Sequence, residues 1–132
     1  MNRLGGLLLA LGLVCTSIAP SFAAATVEGV WEIESRDSRY RVTLCGEPAS
    51  QLCGELIWLG NGADNAKNLP YLNTLLIDHA PQIGPQQWKG ELRLFGQRAQ
   101  GTITQVEDDR ITLKGCVLFV VYKTYQMYRY AD

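Results

Sequence analysis

The chain of 132 residues contains one histidine, His79, so no site built on two imidazoles can form within it. It has no excess of positive charge either. Twelve Lys and Arg stand against thirteen Asp and Glu, a net charge of -1, which argues against binding polyanions through counterion release. Beyond residue 25 only three serines remain, Ser35, Ser38 and Ser50, each in a turn-like segment. Gly-x-Ser-x-Gly elbows, phosphate loops and dinucleotide fingerprints are absent. No helical periodicity persists for ten residues after Ala25. Charged residues make up 19% and apolar ones 47%, the balance of a globular chain rather than a disordered one.

The first residues read as an export signal. Met1-Asn2-Arg3 carries one positive charge, and Leu4 to Val14 is entirely Leu, Gly, Ala and Val. Pro20, Ser21 and the small-residue run Ala23-Ala24-Ala25 follow. This is the layout of a cleaved secretory signal peptide, residues 1–25, with cleavage after Ala23 or Ala25. The apolar run is too short and too Gly-interrupted for a membrane anchor. Cys15 lies in the discarded part, and Val14 before it is too large for a lipidation motif. Removal of the signal makes the net charge more negative and leaves three cysteines, Cys45, Cys53 and Cys116. Export to the periplasm or beyond permits disulfides.

What remains, residues 26–132, reads as one all-β domain. Short strand-like runs alternate with turn signals. In Arg39 to Leu44, Tyr40, Val42 and Leu44 share one face, opposite Arg39, Arg41 and Thr43, as in a half-buried strand. Gln100 to Val106 sets Gly101, Ile103 and Gln105 against Thr102, Thr104 and Val106. Further strands are expected over Val27–Ile33, Leu52–Leu59, Ile77–Ala80 (weak), Trp88–Phe95, Arg110–Cys116 and Tyr122–Tyr130. At most one short helix fits, over Leu69–Leu76, after the polar loop Gly60–Asn68. About eight strands in so short a chain must cover their own apolar face. A single up-and-down antiparallel barrel does this and removes the strand edges. A two-sheet sandwich is the alternative.

Cys45 and Cys53 flank one turn, positions that a hairpin brings within reach of a disulfide. Closing a loop of about nine residues stabilises by about 2–3 kcal/mol in the chain-entropy model. The alternative is two free buried thiols. The spacing does not support Cys-x-x-Cys redox chemistry, and Cys116 is left as a small buried hydrophobe. His79 reads as a surface or loop residue. In an extended Ile77–Ala80, Asp78 and His79 would point to opposite faces and could not pair. Glu28, Glu32, Glu34, Glu55 and Glu91 are scattered, and no pair is placed for acid–base catalysis. We therefore expect no enzyme, no metal and no cofactor.

Three motifs together resemble a known family. Gly29-x-Trp31 stands near the mature N-terminus. Cys45-Gly46 precedes Leu52-Cys53-Gly54-Glu55-Leu56-Ile57-Trp58-Leu59. Leu113-x-Gly115-Cys116 comes before Lys123-Thr124 and Arg129. This order resembles the domain of unknown function 2147 family, small exported bacterial proteins of lipocalin-like fold. The middle loop departs from the family pattern at Asn65-Ala66-Lys67-Asn68 and Thr74-Leu75-Leu76, and Met127 stands at the family's Trp position. The resemblance implies a lipocalin-like barrel in which Arg129 of the last strand packs across Trp31 of the first and closes one end. It also implies a small hydrophobic or amphipathic ligand, such as a fatty acid or lipid fragment, inside the barrel. Read from the residues themselves, Tyr40 and Trp58 lie on apolar faces of adjacent strands under alternation and, with Val42 and Leu56, are the candidate lining residues. The competing reading is a protein-binding module of the cell envelope, such as an inhibitor of a lytic enzyme, acting through the Gly60–Asn68 loop.

Overall fold

The computed structural model describes residues 26–117 and 121–131; the signal segment, Cys15 and the side chain of Cys116 lie outside that description. Nine strands form one antiparallel sheet: β1 (Gly29–Ile33), β2 (Ser38–Cys45), β3 (Gln51–Leu59), β4 (Leu75–Ala80), β5 (Gln82–Gly84), β6 (Gln87–Leu94), β7 (Gln97–Glu107), β8 (Arg110–Val117) and β9 (Val121–Arg129). The spatial order is β4-β3-β2-β1-β9-β8-β7-β6-β5, and β4 also pairs with β6 through Ile77 and Leu92. Eight strands thus close into a barrel, and the three-residue β5 folds back on β6.

Alternation puts one face of each strand inside. Tyr40 and Val42 of β2 are buried, whereas Arg41 between them is exposed. Ala99, Gly101, Ile103 and Gln105 of β7 are buried along the inner face. The packed interior joins Trp31, Val42, Leu52, Leu56, Leu92, Ile103 and Ile111, each almost wholly removed from solvent.

Several details correct the expectations from sequence. The helix expected at Leu69–Leu76 is one 3-10 turn, Leu69–Tyr71. Leu72 is already extended and Asn73 takes a left-handed φ of 67°, so the chain enters β4 two residues before Ile77. The strand expected over Trp88–Phe95 ends at Leu94, and Phe95 belongs to the turn that follows. Leu94 pairs with Gln97 across a two-residue turn, Phe95-Gly96, with φ of 47° and 93°. Positive φ at both central residues is the turn that matches strand twist.

The pairing of Asp78 with His79 is a further correction. Leu52 faces Ala80 and Gly54 faces Ile77, so the single residue Cys53 opposes both Asp78 and His79. The extra residue is a β-bulge, and His79 absorbs it with a φ of 56°. Strand alternation fails locally, both side chains emerge on the outside, and His79 Nδ1 lies 2.7 Å from Asp78 Oδ1.

β4 is wedged between two glycines. A Cβ on Gly54 of β3 would meet Ile77, and one on Gly90 of β6 would lie 3.0 Å from both Cα and Cβ of Ala80. Gly90→Val should therefore lower stability by roughly 1–3 kcal/mol through overpacking against backbone that cannot retreat. Gly84→Ala, at a position with open space and no positive φ, should change little. Paired thermal melts check this, and equal melting temperatures for the two variants would refute the wedge.

Candidate functional site

The two ends of the barrel differ. At the end where Thr26–Glu28 lead into β1, Trp31 is completely buried, and its Nε1–H donates to the Val27 carbonyl at 2.9 Å. Trp31 of β1 pairs with Arg129 of β9. The Arg129 guanidinium carbon sits 4.4 Å from the indole centroid, within cation–π range. Its nitrogens donate to the carbonyls of Thr26 (2.8 Å), Glu28 (3.0 Å) and Asp108 (2.6 and 3.1 Å). One planar fork thus ties the chain's entry and the β7–β8 turn over the Trp31 plug.

The opposite end is open. A cavity of about 430 Å³ enters the barrel beside the β1–β2 turn. Ile33, Tyr40, Leu113, Tyr125 and Met127 supply its wall from four neighbouring strands, and Leu76, Ile77 and Leu92 complete it where β4 closes the sheet. Phe95, the residue in the left-handed turn, reaches the rim and meets Tyr71 edge-on at 5.8 Å. Glu34, Ser35 and Asp37 supply the polar rim.

Inside the wall, Ser38 Oγ donates to the Tyr40 hydroxyl at 3.0 Å, and both side chains are buried. Burial pushes the Tyr40 hydroxyl above its ordinary pKa of 10.0. The nearby Asp37 charge and Tyr125 push the same way, against the Ser38 hydrogen bond. The cavity therefore presents a neutral phenol at physiological pH.

The residues expected to line a ligand site separate. Tyr40 is on the cavity wall. Val42 and Leu56 are fully buried in the packed core, outside the cavity lining. Trp58 is on the outer face. A register shift between Arg39 and Tyr40 leaves Ile57 and Trp58 together between the inward Leu56 and Leu59. There the Arg39 guanidinium lies between the Trp58 and Tyr130 rings, 3.9 Å from each, and pairs with Glu32 at 2.8 Å. The signal for Glu32 with Arg39 was their place on polar faces of adjacent strands. Of the residues that do form the wall, Leu113 alternates with the core residue Ile111, and Tyr125 with Met127, as apolar positions two apart.

Cys45 and Cys53 form a disulfide, with Cα atoms 6.0 Å apart. They sit diagonally across the hairpin, since Cys53 faces Thr43 and Cys45 faces Gln51. The bulge carries His79 Nδ1 to 3.7 Å from Cys53 Sγ. Cys45, Cys53 and His79 are the one group of three metal-ligand types that converges among the described residues. Its two sulfurs are committed to each other, which leaves one imidazole to offer. Glu28 accepts the Leu44 N–H, and on the surface Glu91 pairs with Arg93 at 3.5 Å and with Arg98 at 3.8 Å.

These features can be compared with known proteins. No family model and no curated protein sequence matches the chain. Among solved structures, it is similar to protein HP1028 from the human pathogen Helicobacter pylori, described as belonging to the lipocalin family. The match covers 83% of this chain and 86% of that one, with a TM-score of 0.61 and 13% identity. The fold is lipocalin-like. At that identity the likeness speaks for the barrel and its topology, and not for what the barrel holds.

Two predictions follow from the two ends. Arg129→Met should cost about 1–3 kcal/mol, because three backbone carbonyls lose a charged donor; chemical denaturation measures it, and a wild-type midpoint would remove the clamp. Tyr40 binds its proton more tightly folded than unfolded. Its contribution is therefore intact below the ordinary pKa of 10.0 and lost as pH rises through the higher folded value. Tyr40→Phe should flatten the fall of melting temperature at strongly alkaline pH, and an unchanged alkaline limb would contradict the assignment.

Proposed function

We propose that this protein is an exported binder of a small hydrophobic or amphipathic molecule, a fatty acid or lipid fragment in size, and that it acts by binding rather than catalysis. The carrying observation is the cavity of about 430 Å³, walled by apolar side chains and open beside the β1–β2 turn, away from the Trp31 plug. That volume lies in the range of small-molecule sites, which combine apolar walls with a few polar groups. Burying an apolar body there is favourable by about 25 cal/mol for each Å² removed from water. The lipocalin-like fold supports a barrel interior as the binding place. The order of the Gly29-x-Trp31, Cys-Gly and Lys123-to-Arg129 motifs supports kinship with the domain of unknown function 2147 family. The signal-like N-terminus and the disulfide support a location outside the cytoplasm, periplasmic or secreted. No helix among the described residues is long and apolar enough to cross a membrane.

A second reading has its own observation. The Gly60–Asn68 loop is exposed yet internally ordered. Asn65 Oδ1 accepts from the backbone N–H groups of Lys67 and Asn68, and Asn68 Nδ2 donates to the Ala63 carbonyl. A pre-shaped projecting loop suits insertion into a partner protein's cleft. The open cavity favours the small ligand over it.

Displacement of N-phenyl-1-naphthylamine fluorescence tests the first reading. The wild-type protein should bind the probe. Leu113→Trp, which fills the cavity, should abolish binding at an unchanged melting temperature, and Leu76→Trp should do the same nearer the mouth. Native mass spectrometry of protein from its own compartment should show a co-purifying lipid-sized mass. Probe binding that survives both substitutions, with a clean apo mass, would sink the reading.

A further inference from the structure

The rim of the cavity carries charge of one sign. Glu34 and Asp37 both line the mouth, and among the described residues no Lys or Arg lines the cavity. Arg36, between them, takes a φ of 61° and is exposed, and Lys67 of the neighbouring β3–β4 loop is exposed as well.

Both carboxylates are held in place by the fold. Glu34 Oε1 accepts the Gln126 N–H at 3.0 Å, and Asp37 Oδ1 accepts the Ser35 hydroxyl at 2.7 Å. The turn that carries them is pinned from beside. Gly60 N–H donates to the Asp37 carbonyl at 3.1 Å, and Asn61 Nδ2 donates to the Arg36 carbonyl at 2.6 Å. One oxygen of each carboxylate is thereby used for positioning.

We propose that the cavity selects amphiphiles with a cationic head group, long-chain amines or quaternary ammonium compounds, over those ending in a carboxylate. This rests on the ligand-binding reading above and narrows it. An amphiphile that buries its chain leaves its head at the mouth, within a Debye length of both carboxylates. A cationic head gains attraction there without burial and a carboxylate head is repelled, because the two carboxylates line the mouth while Arg36, which offsets part of their field, does not. Inverting the ligand does not rescue the acid. It would place a carboxylate deep in an apolar wall, with the neutral Tyr40 and Ser38 hydroxyls for company and no cation to pair with. The deep hydroxyls remain suited to an uncharged polar group on the ligand body, such as an ether or carbonyl oxygen.

The test uses dodecylamine, dodecanol and dodecanoate, equal in chain length, below micelle formation at neutral pH and low salt. Each competes with N-phenyl-1-naphthylamine. The amine should bind about tenfold or more tighter than dodecanoate, with dodecanol between. The gap should shrink at high salt and in the double variant Glu34→Gln, Asp37→Asn, whose amide oxygens still accept the Gln126 and Ser35 hydrogen bonds. Dodecanoate binding as tightly as the amine would overturn the proposal, as would a gap that the double variant leaves unchanged. Failure of all three to bind, with the barrel folded, would instead overturn the ligand-binding reading itself.

Discussion

Closure of the sheet through β4 is the constraint on which the rest depends. Eight strands in a sequential meander leave two edges, β1 and β9, which pair along Trp31–Ile33, and the ring is completed by the contact of β4 with β6 at Ile77 and Leu92. That contact is short, so it relies on close approach instead of a long ladder. Gly54 and Gly90 supply the approach by offering no side chain where Ile77 and Ala80 press in. The bulge at Asp78-His79 belongs to the same device. It lets Ile77 and Ala80, three residues apart, both face inward from one strand. Without it, strand alternation would turn one of them to solvent and the seam would open.

Closure makes an interior, and the unequal ends decide what the interior can be. At one end the large Trp31 side chain fills the barrel, and Arg129 locks it from outside with a fork of donors that reach three carbonyls. At the other end the side chains that converge are Leu113, Tyr125 and Met127, which leave space. Met127 is informative here: a Trp at that position would carry more volume toward the same interior. A slimmer, unbranched side chain on β9 is compatible with a cavity at the open end while the plug at the far end keeps the fold anchored.

Much of the barrel was legible because a half-buried strand writes its face into the sequence every second residue. β2 and β7 read correctly from alternation alone, and the Cys45–Cys53 pair followed from one turn and an export signal. The failures fall where the period of two breaks. Ile57-Trp58 and Asp78-His79 each place two successive side chains outside, so an argument from alternation sent Trp58 into the cavity and separated Asp78 from His79. Neither bulge has a glycine or proline to announce it. Phe95 misled in another way, since a bulky residue at positive φ is rare. It is tolerated because the ring packs against Tyr71 at the rim. The acidic rim was hidden for a simpler reason. Glu34 and Asp37 sit in a turn, and turn carboxylates are ordinarily just solvated; only the barrel's geometry shows that this turn borders the mouth.

In the proposed ligand site the cavity wall and the rim act on different scales, and this divides the roles proposed for them. Apolar burial accumulates with area, so the wall of Ile33, Tyr40, Leu113, Tyr125 and Met127 governs whether a molecule is held at all. A solvent-exposed charge contact is worth about 0.2–1 kcal/mol, too little to retain a ligand and enough to rank ligands of equal chain length. Two carboxylates acting on one head group favour a cation and disfavour an anion, so the difference between the two is about twice the effect on either. Discrimination can therefore be large while affinity for the chain itself stays the same. It follows that the preference proposed for the rim is separable from the wall: substitution in the β1–β2 turn need not disturb the strands, because Glu34 and Asp37 contribute acceptors to local hydrogen bonds that an amide would also satisfy.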